Sequence, residues 1–274
     1  MSNRRTLRLS GRAGATLIAA VVGLSAPFAE AAGSRVAAFA SLNPVAKTSS
    51  AKAKTSSPTC PNGMSAIPTT GGGYCIDKFE GSLVEVLPKG KTKAFSATST
   101  VTGRVVRAVS KKGVAPQGYI SQVEAAGACE HAGKRLCTND EWMQACRGKS
   151  PTTYPYGDDE VKGRCNGDGT RQHPIVELFG ASPDPFADAS KMNDPRINAL
   201  PDTVSKTGSK AKCRSSYDVY DMVGNVHEWT SNPSGEFKGG FYMDTHRNGD
   251  GCFYKTTAHS PSYHDYSTGF RCCK

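Results

Sequence analysis

Apolar residues are scarce in this chain: they make up only 37% of 274 residues, and two of those residues are tryptophan. That supports one good-sized core or two small ones, and nothing larger. Long apolar runs are missing as well. The run at residues 13–23 is too short for a bilayer, which needs about 20 residues, and none of that length follows it. A transmembrane helix in the mature protein is therefore excluded. No C-x-x-C pair occurs, which removes the usual zinc frameworks. No cysteine precedes Cys60, which argues against a lipid anchor at the N-terminus. A basic surplus is also absent where a fold would lie. Of the formal charge of +10, residues 1–31 carry +3 and residues 32–59 carry +4, leaving only +3 for residues 60–274. Nucleic-acid binding thereby loses its main support.

What is present begins with an export signal. Arg4, Arg5, Arg8 and Arg12 precede the apolar run, and Ala29-Glu30-Ala31 forms a small-x-small cleavage site, so residues 1–31 read as a secretory signal peptide. Arg4-Arg5-Thr6-Leu7-Arg8 also resembles a twin-arginine signal. A disulfide-dependent fold would then have to form in a reducing compartment, so the general secretion route is favoured. Residues 32–59 are rich in Ala, Ser, Thr and Lys without apolar periodicity, the composition of a flexible tether. The exported product is expected to be periplasmic or extracellular, with one folded domain over residues 60–274.

All ten cysteines lie in that domain: Cys60, Cys75, Cys129, Cys137, Cys146, Cys165, Cys213, Cys252, Cys272 and Cys273. An even count in an exported chain reads first as five disulfides, with a reactive or metal-bound thiol pair as the alternative. Adjacent Cys272 and Cys273 cannot both point the same way on a strand. Two capping boxes predict helices. Ser121 to Glu124 opens one that runs to about Ala132, with Val123, Ala126 and Cys129 on one face and Gly133 ending it. Thr138 to Glu141 opens another, through Trp142 and Cys146 to Gly148. Strands are expected near 74–79, 103–109, 239–243 and 269–272. Residues 150–215 carry so much Gly, Pro, Asp and Asn that mostly irregular backbone is expected there, held by staples.

Six motifs then occur in order. They are Cys75-Ile-Asp77-Lys-Phe-Glu80, Ala132-Gly133-Lys134-Arg135-Leu136-Cys-Thr138-x-x-Glu141-Trp142, Tyr154-Pro-Tyr-Gly157-Asp158, Tyr220-Asp221-Met222-Val223-Gly224-Asn225-Val226-His-Glu228-Trp229, Gly239-Gly240, and Gly269-Phe270-Arg271-Cys272. In that order they resemble the formylglycine-generating enzyme (sulfatase-modifying factor) family from about Cys60 to Cys273. The resemblance implies an α+β domain, the variant of the C-type lectin fold found in that family, with little regular secondary structure and disulfide staples. It also implies an oxidoreductase that uses O2 at Cu(I) held by two thiolates to convert a protein cysteine to formylglycine, or a nonheme-iron relative that acts on a protein cysteine or a small metabolite.

At the first copper cysteine's place this chain has Asp244, a hard ligand poorly suited to Cu(I). Cys252 matches either the second copper cysteine or a nearby disulfide cysteine of the family. A groove bordered by Tyr242, Asp244, His246, Cys252, His259 and His264 is the candidate reaction site. The histidines with Asp244 and Asp265 would suit iron, as two imidazoles and a carboxylate do in Fe(II) oxygenases. His227, inside the calcium loop that the resemblance implies, reads as packing or as a residue supporting that loop's ligands. The resemblance further implies calcium, held by Asp221, Gly224, Val226 and Glu228, since hard oxygens at that spacing suit it. Asn193 with Asp194, or Asn166 with Asp168, would serve a second ion. For the disulfides it implies that Cys129 and Cys146 take partners from the C-terminal segment, Cys129 with Cys272 or Cys273 and Cys146 with Cys252; of the remainder Cys60 with Cys75 and Cys165 with Cys213 are the simplest pairings, leaving Cys137 for the other terminal cysteine. Three functions follow: an exported oxidoreductase; a noncatalytic, calcium-stabilised lectin-like binding module for a protein, peptide or glycan; or a structural envelope protein. In each the chain is a monomer that binds no nucleic acid.

Overall fold

The structure is a computed structural model that describes residues 56–274. The expected signal peptide and residues 32–55 of the expected tether lie outside the described residues. Residues 56–59 lie inside, and Ser56 already bridges to Thr69.

Among the described residues eleven short strands occur: β1 (Met64–Ile67), β2 (Tyr74–Asp77), β3 (Gly81–Val86), β4 (Thr92–Ala94), β5 (Val106–Ser110), β6 (Arg135–Leu136), β7 (His227–Trp229), β8 (Phe237–Lys238), β9 (Lys255–Thr256), β10 (Thr268–Phe270) and β11 (Cys272–Cys273). They form three small sheets, ordered β1-β2-β11-β6, β10-β7-β8-β9 and β4-β3-β5. Only β10 and β7 pair in parallel, which threads the C-terminal segment beside the Glu228 strand.

Both capping boxes form. α1 (Gln122–Glu130) is opened by Ser121, whose hydroxyl accepts the Glu124 N–H, and α2 (Asn139–Arg147) by Thr138 with Glu141. The buried face of α1 differs from expectation. Gln122, Ala125, Ala128 and Cys129 are buried, while Val123 is 63% exposed. The reason is Gln122, whose Nε2 donates to the Thr230 and Asn232 carbonyls at 2.6 Å and turns that side inward. Between residues 150 and 215 the backbone is mostly irregular, as expected, with short α3 (Pro174–Phe179) and α4 (Ala189–Met192).

The expected strand at 239–243 does not form. Gly239 and Gly240 take φ of +84° and +73°, and the chain turns there. A Cβ on Gly239 would lie 2.6 Å from the Met222 carbonyl, and one on Gly240 2.3 Å from that of Asp244. Only glycine satisfies both the dihedral and the space.

All ten cysteines are paired: Cys60–Cys75, Cys129–Cys272, Cys137–Cys273, Cys146–Cys252 and Cys165–Cys213. The open choice at the terminus is resolved by strand geometry, since the two faces of β11 send Cys272 to α1 and Cys273 to the segment after β6. Three of the bridges close spans of 143, 136 and 106 residues. On a chain-entropy basis a loop of about 100 residues gains about 4.7 kcal/mol from closure, which a domain so poor in regular elements needs. Around these bridges sit Trp142 in one apolar cluster and Trp229 with Phe270 in another.

Candidate functional site

Beneath the Gly239-Gly240 turn lies a buried ionic centre. Arg271, just after β10, is fully buried; its Nε and Nη2 donate to the two carboxylate oxygens of Glu228 at 2.9 and 2.7 Å. Its remaining donors reach the carbonyls of Asp77 and Tyr220. Trp142 Nε1 adds a third donor to Glu228 at 2.7 Å. Beside this pair Asp221, at φ +57°, accepts the Gly208 N–H, and Asn225, at φ +63°, donates to Glu80 at 2.7 Å. Burial raises the Asp221 carboxyl to about 6, and burial together with Asp221 and Glu228 pushes Glu80 well above the usual carboxylate range.

This arrangement does not fit the expected calcium ion. Both oxygens of Glu228 are already occupied, and the positive charge facing it is a guanidinium, which a divalent ion would have to expel. The alternative residues do not converge either: Asp194 is paired with Arg196, Asn166 donates to Asn225 and Thr203, and Asp168 accepts the Gly163 N–H. Among the described residues no group of three or more His, Cys, Asp and Glu side chains is placed to hold a metal ion.

Above the ionic centre opens a cleft of about 370 Å³ whose walls are largely aromatic. Strand β7 places His227 in it, β8 places Phe237, and the glycine turn brings Phe241 and Asp244. The His227 ring lies 4.4, 5.0 and 5.4 Å from the rings of Phe237, Phe241 and Tyr254. His259 stacks between Phe237 and Tyr263, at 5.6 and 3.9 Å. Burial drives His227 down to about 3, against the opposing pull of Asp244, so its imidazole is neutral at physiological pH. Its Nδ1 is buried without a hydrogen-bond partner. The carboxylates of the cleft are already engaged. Asp244 accepts from the His246 and Arg247 N–H groups and from the Tyr254 hydroxyl at 3.1 Å, and these outweigh burial to hold it below its ordinary range. Asp265 accepts from Ser267 and Tyr263.

Of the six residues expected to border the groove, only Asp244 and His259 line this cleft. Tyr242 instead packs in an adjoining cluster with Tyr119, Ile175 and Tyr266, the last of which also lines the cleft, and its hydroxyl points toward Asn198. His246 turns away to Glu160 and Asp250; burial alone would lower it, but these two carboxylates raise it. His264 is hydrogen-bonded through Nδ1 to Asn193 Oδ1 at 2.7 Å in the wall of a neighbouring hollow. Cys252 is fully buried in its expected bond to Cys146 and offers no thiolate, which decides for the disulfide cysteine over the copper ligand. The donors for a Cu(I) thiolate pair are thus not present, and the scattered histidines do not form an iron site. His227, read from sequence as packing or support, is the side chain on which the cleft centres. Its place between hydrophobic Val226 and the carboxylate of Glu228 gave no separate signal.

The sequence profile of the sulfatase-modifying factor enzyme 1-like domain matches residues 84–274. A Bos taurus protein described as inactive C-alpha-formylglycine-generating enzyme 2 is 31% identical over 121 residues, covering 42% of this chain and 32% of that protein. A Mus musculus protein of the same description is 28% identical over 142 residues, covering 47% and 38%. The chain therefore spans about a third of the length of these relatives. Among solved structures, Treponema denticola variable protein 1 aligns with a TM-score of 0.45 at 13% identity, over 80% of this chain and 94% of that one. The Major Tropism Determinant I1 variant aligns with a TM-score of 0.43 at 14% identity, over 80% and 54%. Six ordered motifs and the match over residues 84–274 lead to one statement: the chain belongs to the sulfatase-modifying factor enzyme 1-like domain family.

Proposed function

We propose that this protein is an exported, noncatalytic member of its family that binds a saccharide in the aromatic cleft. The observation that carries this reading is the fate of the two residues that the resemblance sets against copper cysteines: Cys252 is consumed by Cys146, and Asp244 is consumed by Tyr254 and two backbone N–H groups. Neither is left to ligate a redox metal. The description of the mammalian relatives as inactive supports the same reading. Five disulfides call for an oxidising compartment, which supports export. Among the described residues no helix is long and apolar enough to cross a membrane.

A wall of rings suits the flat apolar face of a sugar. Asn248, Thr256 and Ser267 in the same wall supply hydrogen-bonding groups for its hydroxyls. The ring of His227 is neutral, so it adds polarity without charge. Calorimetric titration of the purified protein with neutral oligosaccharides, run beside a cysteine-bearing sulfatase peptide under O2, tests the reading. Saturable sugar binding without oxygen consumption supports it. Conversion of the peptide cysteine, or binding of the peptide with no sugar bound, overturns it.

A further inference from the structure

A second hollow, of about 540 Å³, opens at the far end of α2, away from the aromatic cleft. Its charge comes directly from local sequence. Arg147 closes α2, Gly148 turns the chain at φ +77°, and Lys149 follows, while Arg214, Ser215 and Ser216 face them across the gap. Ser216 Oγ accepts the Lys149 N–H at 2.7 Å and pins the two segments together. Three cationic side chains line the hollow, and no lining residue carries a carboxylate.

The cations are poorly compensated. None of the ion pairs among the described residues involves Arg147 or Lys149. Arg147 gives its Nε–H to the Thr152 carbonyl and rests over the Phe253 ring, which leaves its two Nη groups uncommitted. Lys149 Nζ lies 5.9 Å from the Tyr217 ring. Arg214 does have a carboxylate partner, Asp218, but shares it with Lys78. The C-terminus of α2 opposes an anion with the equivalent of about half a negative charge, which Arg147 alone exceeds.

A second observation is independent of charge. Ser215 lines the hollow at 2% exposure, and its Oγ has no hydrogen-bond partner. Buried hydroxyls are ordinarily satisfied, and leaving one unpaired is costly, so this one calls for an acceptor.

We propose that the hollow binds a tetrahedral oxyanion, the sulfate or phosphate monoester of a small organic molecule. Arg147, Lys149 and Arg214 supply the charge, and Ser215 a hydroxyl donor. The space exceeds that of a bare anion, and Pro155 and Tyr156 give the carrier an apolar wall. Guanidinium and hydroxyl donors together match the several acceptor oxygens of such a group.

The test titrates the full-length, disulfide-bonded protein with inorganic phosphate and, separately, inorganic sulfate, with chloride holding ionic strength constant. Saturable binding of at least one is expected, with the tighter of the two identifying the ester. Lys149→Gln and Arg147→Gln are expected to weaken it about tenfold, as loss of a charge-assisted bond does. Ser215→Ala, which leaves all charges in place, is expected to weaken it about threefold without lowering the melting temperature. His227→Phe, in the separate cleft, is expected to leave it unchanged, so this site stands or falls independently of sugar binding. Absence of saturable binding for both anions, or equal binding by Ser215→Ala and wild type, overturns the proposal.

Discussion

Arg271 and Glu228 form a bidentate ion pair at 2.7 and 2.9 Å in which neither side chain is more than 1% exposed. The pair ties the C-terminal segment to β7 and sits at the centre of three carboxyl groups, Glu80, Asp221 and Glu228. Arg271→Leu leaves Glu228 charged and unpaired in the interior, a loss of about 3–5 kcal/mol. Urea denaturation should show it, and a change below about 1 kcal/mol would mean that the pair is not buried as described.

With a guanidinium in the place expected for calcium, the fold is predicted to hold without divalent ions. An ion bound at about 100 times its dissociation constant would add about 2.7 kcal/mol, or at least about 5 °C of melting temperature in a domain of this size. EDTA is expected to shift the melting temperature by less than about 1 °C. A larger fall, reversed by Ca2+, would restore the calcium reading.

The raised Asp221 carboxyl sets a pH dependence of definite sign. Its folded value is about 6 against an ordinary 3.8, so its contribution is fully present below 3.8 and is lost as pH rises through about 6. Asp221→Asn keeps a side chain that tolerates the left-handed backbone there and removes that loss. Between pH 4 and 6 the variant should gain on wild type as pH rises, by at most about 1.4 kcal/mol per unit. Parallel stability curves would contradict this.

His227 gives the opposite sign. Held at about 3 against an ordinary 6.5, it contributes stability above pH 6.5 that is lost as pH falls toward 3. His227→Phe removes this loss and an unpartnered nitrogen, so stability at pH 7 should stay within about 1 kcal/mol of wild type or rise. Acid sensitivity should be smaller, and sugar binding weaker. Denaturation at pH 7 and pH 5 checks the first two, and calorimetry the third.

Much of the scaffold could be read from the chain because it is local. Capping boxes at Ser121 and Thr138 are four-residue signals, and both helices begin where those signals place them. The adjacency of Cys272 and Cys273 required two different partners, and they have them. The site was less legible because it is made of long-range pairings. Nothing near Glu228 in sequence announces Arg271, 43 residues on, or Trp142, 86 residues back. The same holds for Asn225, which bonds Glu80 from 145 residues away. A strand is expected near 239–243, but close approach of the Met222 and Asp244 carbonyls to Gly239 and Gly240 makes this segment a turn.

Whether the chain retains its family's copper chemistry is decided by its thiols, so the most direct measurement joins a thiol count to a metal count. The disulfide-bonded protein is titrated for free thiols under denaturing conditions, then incubated anaerobically with Cu(I), desalted and analysed for copper. No free thiol and no stoichiometric copper are expected, in wild type as in Asp244→Asn. One copper per chain in wild type, with two titratable cysteines, would contradict the account and return the protein to the oxidases.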